Sequence, residues 1–410
     1  MLPEMSSAAA EGWDAAVPPN ETVDDDGNPF PDDPGFAVPD PRAPGRRAFD
    51  DPEVRELREH LRAANGLRGL EICAPDEIER AARIFRRDGF VVVRDLLGAD
   101  ELGRLRAGCA RALAQILEAP GPGGRRYPTE SWRLPHRYSF GTCSASRQML
   151  HDADWACAID LPTTTPILTR IFGSADYLVW GGGGDLCLPG AIEYQHLHAD
   201  LWDRQELPEG RISQAQALGV DLKGRDPASE LDVRTQRRIL ERTPPIVTIN
   251  FLMSDLTFEN GPIRQIPGSH ALQQRPPAPE DEPEWMRLST LVGAPAGAGV
   301  FRDGRAWHGG TPNLSRDVRA MPNIEYMAPW MPEASTTRTM PHEIWETLSP
   351  HGRRLCRSVK AEPGAWPPGA GRLYPLANER RAFRRSQHES ASDDAGADPG
   401  TAPAGRAPGV

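Results

Sequence analysis

The stretch Tyr194-Gln195-His196-Leu197-His198-Ala199-Asp200 sets two imidazoles and a carboxylate at alternate positions. Alternate residues of an extended strand share a face, so on a strand His196, His198 and Asp200 would stand in line, about 6.5–7 Å apart at each step. Neutral imidazole and carboxylate suit a borderline divalent metal, and two histidines plus one carboxylate with open positions form the facial triad of non-haem Fe(II) sites. His-x-Asp gives only two of these ligands, so the third must come from elsewhere in the chain.

Two of the ten histidines follow strand-like stretches: His270 in Ile-Pro-Gly-Ser-His, and His308 in Arg-Ala-Trp-His-Gly-Gly-Thr-Pro-Asn. Spacing alone does not choose between them. An oxygenase of this kind takes a keto-acid cosubstrate whose far carboxylate needs a fixed guanidinium. Arg319 stands eleven residues after His308, and a turn through 309–313 would lay the two strands side by side. Arg275 follows His270 too closely, beside Pro276-Pro277. His308 is therefore the better ligand, and His270 reads as a residue that closes a turn. Trp202 and Trp307 adjoin the proposed ligands and either line a substrate pocket or pack in the core. His196 either contacts substrate or stands as a spare metal candidate.

The elements that must position these residues change character along the chain. Asp51-Pro52-Glu53 reads as an N-cap followed by Pro at the first helical position, opening a helix that ends near Asn65-Gly66. A second helix is expected over 76–87, a buried strand at Phe90–Val93, and a long helix carrying Leu102, Leu105, Cys109, Ala112 and Ile116 at helical spacing. From about 176, short strand-like runs dominate: Tyr177–Trp180, Ile192–His198, Ile246–Met253, Ile263–Ile266, Gly299–Phe301 and Ala320–Met327. Many short strands separated by Gly/Pro turns mean a sandwich or barrel, hence a mainly β core with α+β character. Gly181–Gly184 lacks the Lys and following helix of a phosphate loop and reads as a flexible turn. Residues 201–244 form a long insertion directly after Asp200, either a lid or a flexible loop.

Composition bounds the rest. At 410 residues the chain can bury a sizeable core. The net charge of −11 is concentrated at the start, where residues 1–50 hold eleven Asp/Glu against three Arg, leaving −3 for the other 360. The remainder lacks the basic stripe that nucleic acid would require. Six scattered cysteines without a Cys-x-x-Cys pair argue against zinc ribbons and thioredoxin chemistry. No apolar run is long enough to span a membrane, and no secretory signal is visible, so a cytoplasmic protein is expected. Residues 1–49 (acidic and Pro-rich) and 386–410 read as disordered tails, with one domain over 50–385: a helical part at 50–120, then the β core at about 176–330.

Four segments, in this order, resemble the phytanoyl-CoA dioxygenase family: Asp88-Gly89-Phe90-Val91-Val92-Val93-Arg94-Asp95-Leu96-Leu97; His198-Ala199-Asp200; Glu259-Asn260-Gly261-Pro262 through Gly268-Ser269-His270; and His308 with Asn313, Ser315 and Arg319. The resemblance covers roughly 76–330. It implies a double-stranded β-helix, the jelly-roll or cupin-like barrel, flanked by N-terminal helices and holding Fe(II), with 2-oxoglutarate and O2 as cosubstrates. Carried over, His198, Asp200 and His308 are the expected iron ligands, with no further catalytic residue. Arg319 is the expected partner of the 2-oxoglutarate distal carboxylate, with Thr311 and Ser315 as further cosubstrate contacts. The implied reaction is oxidation, chiefly hydroxylation, of a C–H bond in a small organic molecule or acyl derivative, releasing succinate and CO2. Halogenating relatives carry a small residue in place of the carboxylate; Asp200 argues for hydroxylation. The alternative is a cupin-type metal- or sugar-binding protein without 2-oxoglutarate chemistry, in which His196, His198 and His308 would hold the metal.

Overall fold

The structure, a computed structural model, describes residues 48–118, 137–140, 148–201, 244–272, 276–329 and 338–367. Both expected tails, apart from Ala48 and Phe49, and nearly all of the 201–244 insertion, including Trp202, lie outside the described residues. The described strands are β1 (Ile72–Cys73), β2 (Phe90–Val93), β3 (Arg137–Phe140), β4 (Leu178–Cys187), β5 (Ile246–Phe251), β6 (Arg264–Gln265), β7 (Gly299–Asp303), β8 (His308–Gly309) and β9 (Arg319–Met327). The longer helices are α1 (Pro52–Ala64), α2 (Ile78–Asp88), α3 (Ala99–Glu118) and α4 (Thr165–Phe172).

A seven-stranded sheet has the order β1-β2-β7-β5-β9-β4-β3, antiparallel except for the parallel β1–β2 pair. A smaller sheet contains β6 and β8. It is widened by single bridges that join Ala191 to Asn313, His198 to His308, Asn260 to Asn313 and Arg264 to Thr290. From β4 onward the chain alternates between the sheets: β4 in the large one, 191–198 in the small one, β5 large, β6 small, β7 large, β8 small, β9 large. That alternation is the double-stranded β-helix.

Period-two alternation explains how one strand serves both a core and a cavity. All nine residues of β9 are buried. Ala320, Ile324 and Tyr326 pack outward into the main apolar core with Phe85, Leu105, Trp155 and Ile167 from the helical layer. Arg319, Met321, Asn323 and Glu325 face the interior between the sheets. The N-terminal part does more than flank this barrel, because β2 pairs with β7 and extends the large sheet.

Helix boundaries follow local chemistry. Asp51 caps α1 by accepting from Glu53 N–H at 2.9 Å, ahead of Pro52. Gly89 ends α2 in the left-handed region at φ 82°, where a side chain would also strike the His270 ring. His270 itself lies 3.2 Å through Nε2 from Arg86 O, so its ring reaches the end of α2, a distant element, and does not close a local turn as the sequence suggests.

Two further expectations need correction. Gly181–Gly184 is not a turn: it lies inside β4, hydrogen-bonded along its length to β9. Glycine weakens a strand intrinsically, but the ladder to β9, the β3 pairing that reaches Gly184 and a 2.8 Å bond from Trp155 Nε1 to Gly183 O hold it. The strands of His308 and Arg319 are not side by side either. The turn after Gly310 carries the chain from the small sheet to the large one, so β8 and β9 face each other across the interior. Finally, both ends of the 202–243 segment are tied to one residue: Leu201 N–H donates to Gly304 O at 2.8 Å, and Gly304 N–H donates to Ile246 O at 3.0 Å.

Candidate metal centre

His198 and His308 meet first through their backbones. Each N–H donates to the other's carbonyl, at 3.0 and 2.9 Å, the reciprocal pair of directly opposed antiparallel residues. Their ring centroids stand 4.2 Å apart. In each ring Nδ1 rests on the carbonyl two residues earlier, His198 on His196 O at 3.2 Å and His308 on Ala306 O at 3.1 Å. An Nδ1–H donated there leaves the Nε2 lone pair for a metal. Both Nε2 atoms approach Asp200 Oδ1, at 3.9 Å from His198 and 3.5 Å from His308. Cis ligands about 2.1 Å from one metal stand about 3 Å apart, so only a small contraction separates this arrangement from a coordination sphere.

Electrostatics favours the ligating protonation states. Desolvation opposes the charge on Asp200, but the Arg302 guanidinium and the two imidazoles outweigh it and hold the carboxyl far below the usual range. Arg302 Nη1 donates to Asp200 Oδ2 at 2.5 Å and lies 3.1 Å from His308 Nδ1. Burial, then Arg302 and His198, push His308 well below the ordinary histidine value, keeping it a neutral donor.

The cavity between the sheets extends from this triad to Arg319. Arg319 is 3% exposed and donates from Nε to Gly261 O at 3.0 Å. Its Nη1 is buried without a hydrogen-bond partner, and among the described residues no carboxylate pairs with it. A buried cation left in that state is costly unless an anion arrives. Asn250 and Asn323, directly paired between β5 and β9, also line the cavity, and both Oδ1 atoms lack partners. The donor set fits a divalent metal, and the waiting guanidinium fits the far carboxylate of a keto-acid.

The other sequence candidates sit differently. His196 stands beside His198, ring centroids 5.9 Å apart, but outside the three-residue cluster. Trp307 packs with Leu197, Ala199 and Ile266 in an apolar cluster instead of lining the cavity. Thr311 spends its hydroxyl on Pro262 O at 2.5 Å, and Ser315 donates to Asn313 Oδ1 at 2.7 Å. Neither lines the cavity; both hold the turn. Sequence reasoning missed Arg302, Arg137, Asn250 and Asn323. For the two asparagines a signal was present: polar residues recur at every second position of otherwise apolar strands, as in Thr248-Ile249-Asn250 and Asn323-Ile324-Glu325.

The double-stranded β-helix thus brings His-x-Asp, a facing histidine and an arginine of the following strand to one cavity. Residues 233–321 match the model of the phytanoyl-CoA dioxygenase (PhyH) family. The chain is 34% identical over 111 residues to Dioxygenase af480 of Aspergillus fumigatus, a stretch covering 27% of this chain and 35% of that protein. The chain thus spans about a third of that relative's length. Among solved structures it is similar to AviO1 from Streptomyces viridochromogenes Tue57, with 20% identity, TM-score 0.41, and coverage of 62% of this chain and 97% of that one. It is also similar to the α-ketoglutarate-dependent carbocyclase SnoK from nogalamycin biosynthesis, with 20% identity, TM-score 0.36, and coverage of 63% and 87%. No helix among the described residues is long and apolar enough to cross a membrane.

Proposed function

We propose that the chain is an Fe(II)- and 2-oxoglutarate-dependent dioxygenase that hydroxylates a C–H bond of a small organic molecule or acyl derivative. The observation that carries this reading is a single cavity with a His198–Asp200–His308 cluster at one part and, at another, the buried Arg319 guanidinium, whose Nη1 has no hydrogen-bond partner.

In this reading His198 Nε2, His308 Nε2 and Asp200 Oδ1 would hold the metal. When bound, Fe(II) with 2-oxoglutarate supplies O2 activation for C–H oxidation, with succinate and CO2 as coproducts. The protein's contribution is position and charge. Arg302 fixes the second oxygen of Asp200, His196 O and Ala306 O fix the imidazole tautomers, and Arg319 orients the cosubstrate through its far carboxylate. Asn250, Asn323 and Glu325 give the intervening wall hydrogen-bonding capacity. An aspartate at 200 fills the position that a halogenating relative would leave for chloride, which supports hydroxylation.

The test is anaerobic 2-oxoglutarate binding with and without Fe(II), in wild type and Arg319→Ala. Binding that requires the metal and weakens strongly in the variant supports the proposal; no binding under any condition removes it.

A further inference from the structure

Arg319 is not the only buried guanidinium at its part of the cavity. On β3, Arg137 pairs directly with Cys187 of β4, and Cys187 pairs directly with Arg319 of β9. The three residues form one row across the sheet, and directly paired antiparallel residues project to the same face. Two strand spacings separate the arginine backbones by about 9.5 Å, a gap that two extended guanidinium side chains close on a group held between them.

Arg137 is 5% exposed and Arg319 3%. Both line the same cavity, and among the described residues neither has a carboxylate within ion-pair distance. Arg137 uses Nη2 on two backbone carbonyls, Thr311 O and Glu193 O, while its Nε is buried without a partner. Gly310 makes the room: a Cβ there would strike Arg137 Nη1. Burial, and to a smaller extent the neighbouring Arg137 charge, push against the charge on Arg319, with Cys187 and Asp185 opposing them. Two buried like charges without a carboxylate in ion-pair contact favour an anion held between them.

We propose that Arg137 is a second guanidinium for the distal carboxylate of the keto-acid cosubstrate, so that Arg137 and Arg319 grip it as a pair. This rests on the function proposed above. Arg137 touches the cosubstrate end remote from the metal; it has no part in metal binding.

The experiment compares two chelating dianions on anaerobic, Fe(II)-loaded protein by calorimetry: 2-oxoglutarate, and oxalate, which has no distal carboxylate. In Arg137→Gln, 2-oxoglutarate affinity is expected to fall about tenfold or more, the loss of a charge-assisted bond, while oxalate affinity stays within about twofold of wild type. Unchanged 2-oxoglutarate binding overturns the pair. Equal weakening of both ligands also overturns it, because Arg137 would then act only by holding the fold. If Arg137→Gln does not fold, Arg137→Lys is read by the same ratio. A fall of about threefold or more in the preference for 2-oxoglutarate supports the pair, since a point charge lacks the planar fork; an unchanged ratio overturns it. Wild type that binds oxalate but not 2-oxoglutarate would instead remove the proposed function, an outcome separate from any effect of Arg137.

Discussion

Arg302 Nη1 stands 2.5 Å from Asp200 Oδ2, while Asp200 Oδ1 is the oxygen that approaches both histidine Nε2 atoms. The carboxylate is thereby divided, one oxygen for the guanidinium and one for a metal. Replacing Arg302 with Met should destabilise the metal-free protein by about 1–2 kcal/mol. That is less than a fully buried pair would cost, because the Asp200 side chain is 35% exposed. Urea unfolding of the metal-free variant measures this. Stability equal to wild type would mean that the contact contributes nothing.

Removal of a ligand should be far more severe than removal of its neighbour. Co(II) titration is expected to show a loss of at least about 100-fold in affinity for His198→Ala, Asp200→Ala and His308→Ala, beyond the usual cost of losing an outer hydrogen-bond partner. His196→Ala should stay within about threefold of wild type, since its ring lies outside the cluster. A large loss in His196→Ala alongside an intact Asp200→Ala would favour the cupin-type ligand set instead.

Thr311 donates to Pro262 O and Ser315 to Asn313 Oδ1, and neither lines the cavity. Thr311→Val and Ser315→Ala should each lower unfolding free energy by about 0.5–1.5 kcal/mol and leave anaerobic 2-oxoglutarate affinity unchanged. A selective loss of cosubstrate binding at full stability would return them to the role that family resemblance implies.

The depressed proton affinity of His308 makes the metal-free protein acid-sensitive. Its folded pKa lies below its unfolded value near 6.5, so the unfolded chain binds more protons and stability falls as pH drops through about 6.5. Asp200 acts in the same direction but in a lower window: its depressed carboxyl contributes stability that is present above about pH 4 and lost further into acid. Chemical unfolding of metal-free wild type and His308→Asn between pH 5 and 7.5 should give a shallower slope for the variant. Identical slopes would assign the sensitivity to other histidines.

The sequence made the chemistry more legible than the architecture around it. His198 and Asp200 were readable because a two-residue step on extended chain joins them, and Arg319 because one short turn links it to His308. Arg302 and Arg137 were not, because their partners are distant in sequence: Asp200 lies 102 residues before Arg302, and Thr311 lies 174 after Arg137. The same limit governed Gly181–Gly184. Local propensity favours a turn there, and only pairing with β9, more than 130 residues away, makes it a strand. Residues 192–198 failed in the opposite sense: the segment is extended and bonded to 308–313, yet only through isolated bridges. A metal site requires side chains at set positions, and an irregular ladder suffices for that.

The single residue Gly304, bonded to Leu201 on one side and Ile246 on the other, makes the stretch between those two a replaceable cassette. Its two attachment points are fixed within a few bonds of Asp200, whatever the intervening chain does. Lengthening such an excursion twofold costs only about 0.6 kcal/mol in closure entropy. Chain of another length could therefore join Leu201 to Ile246 while the His198–Asp200–His308 cluster, the arginines and the barrel keep their places.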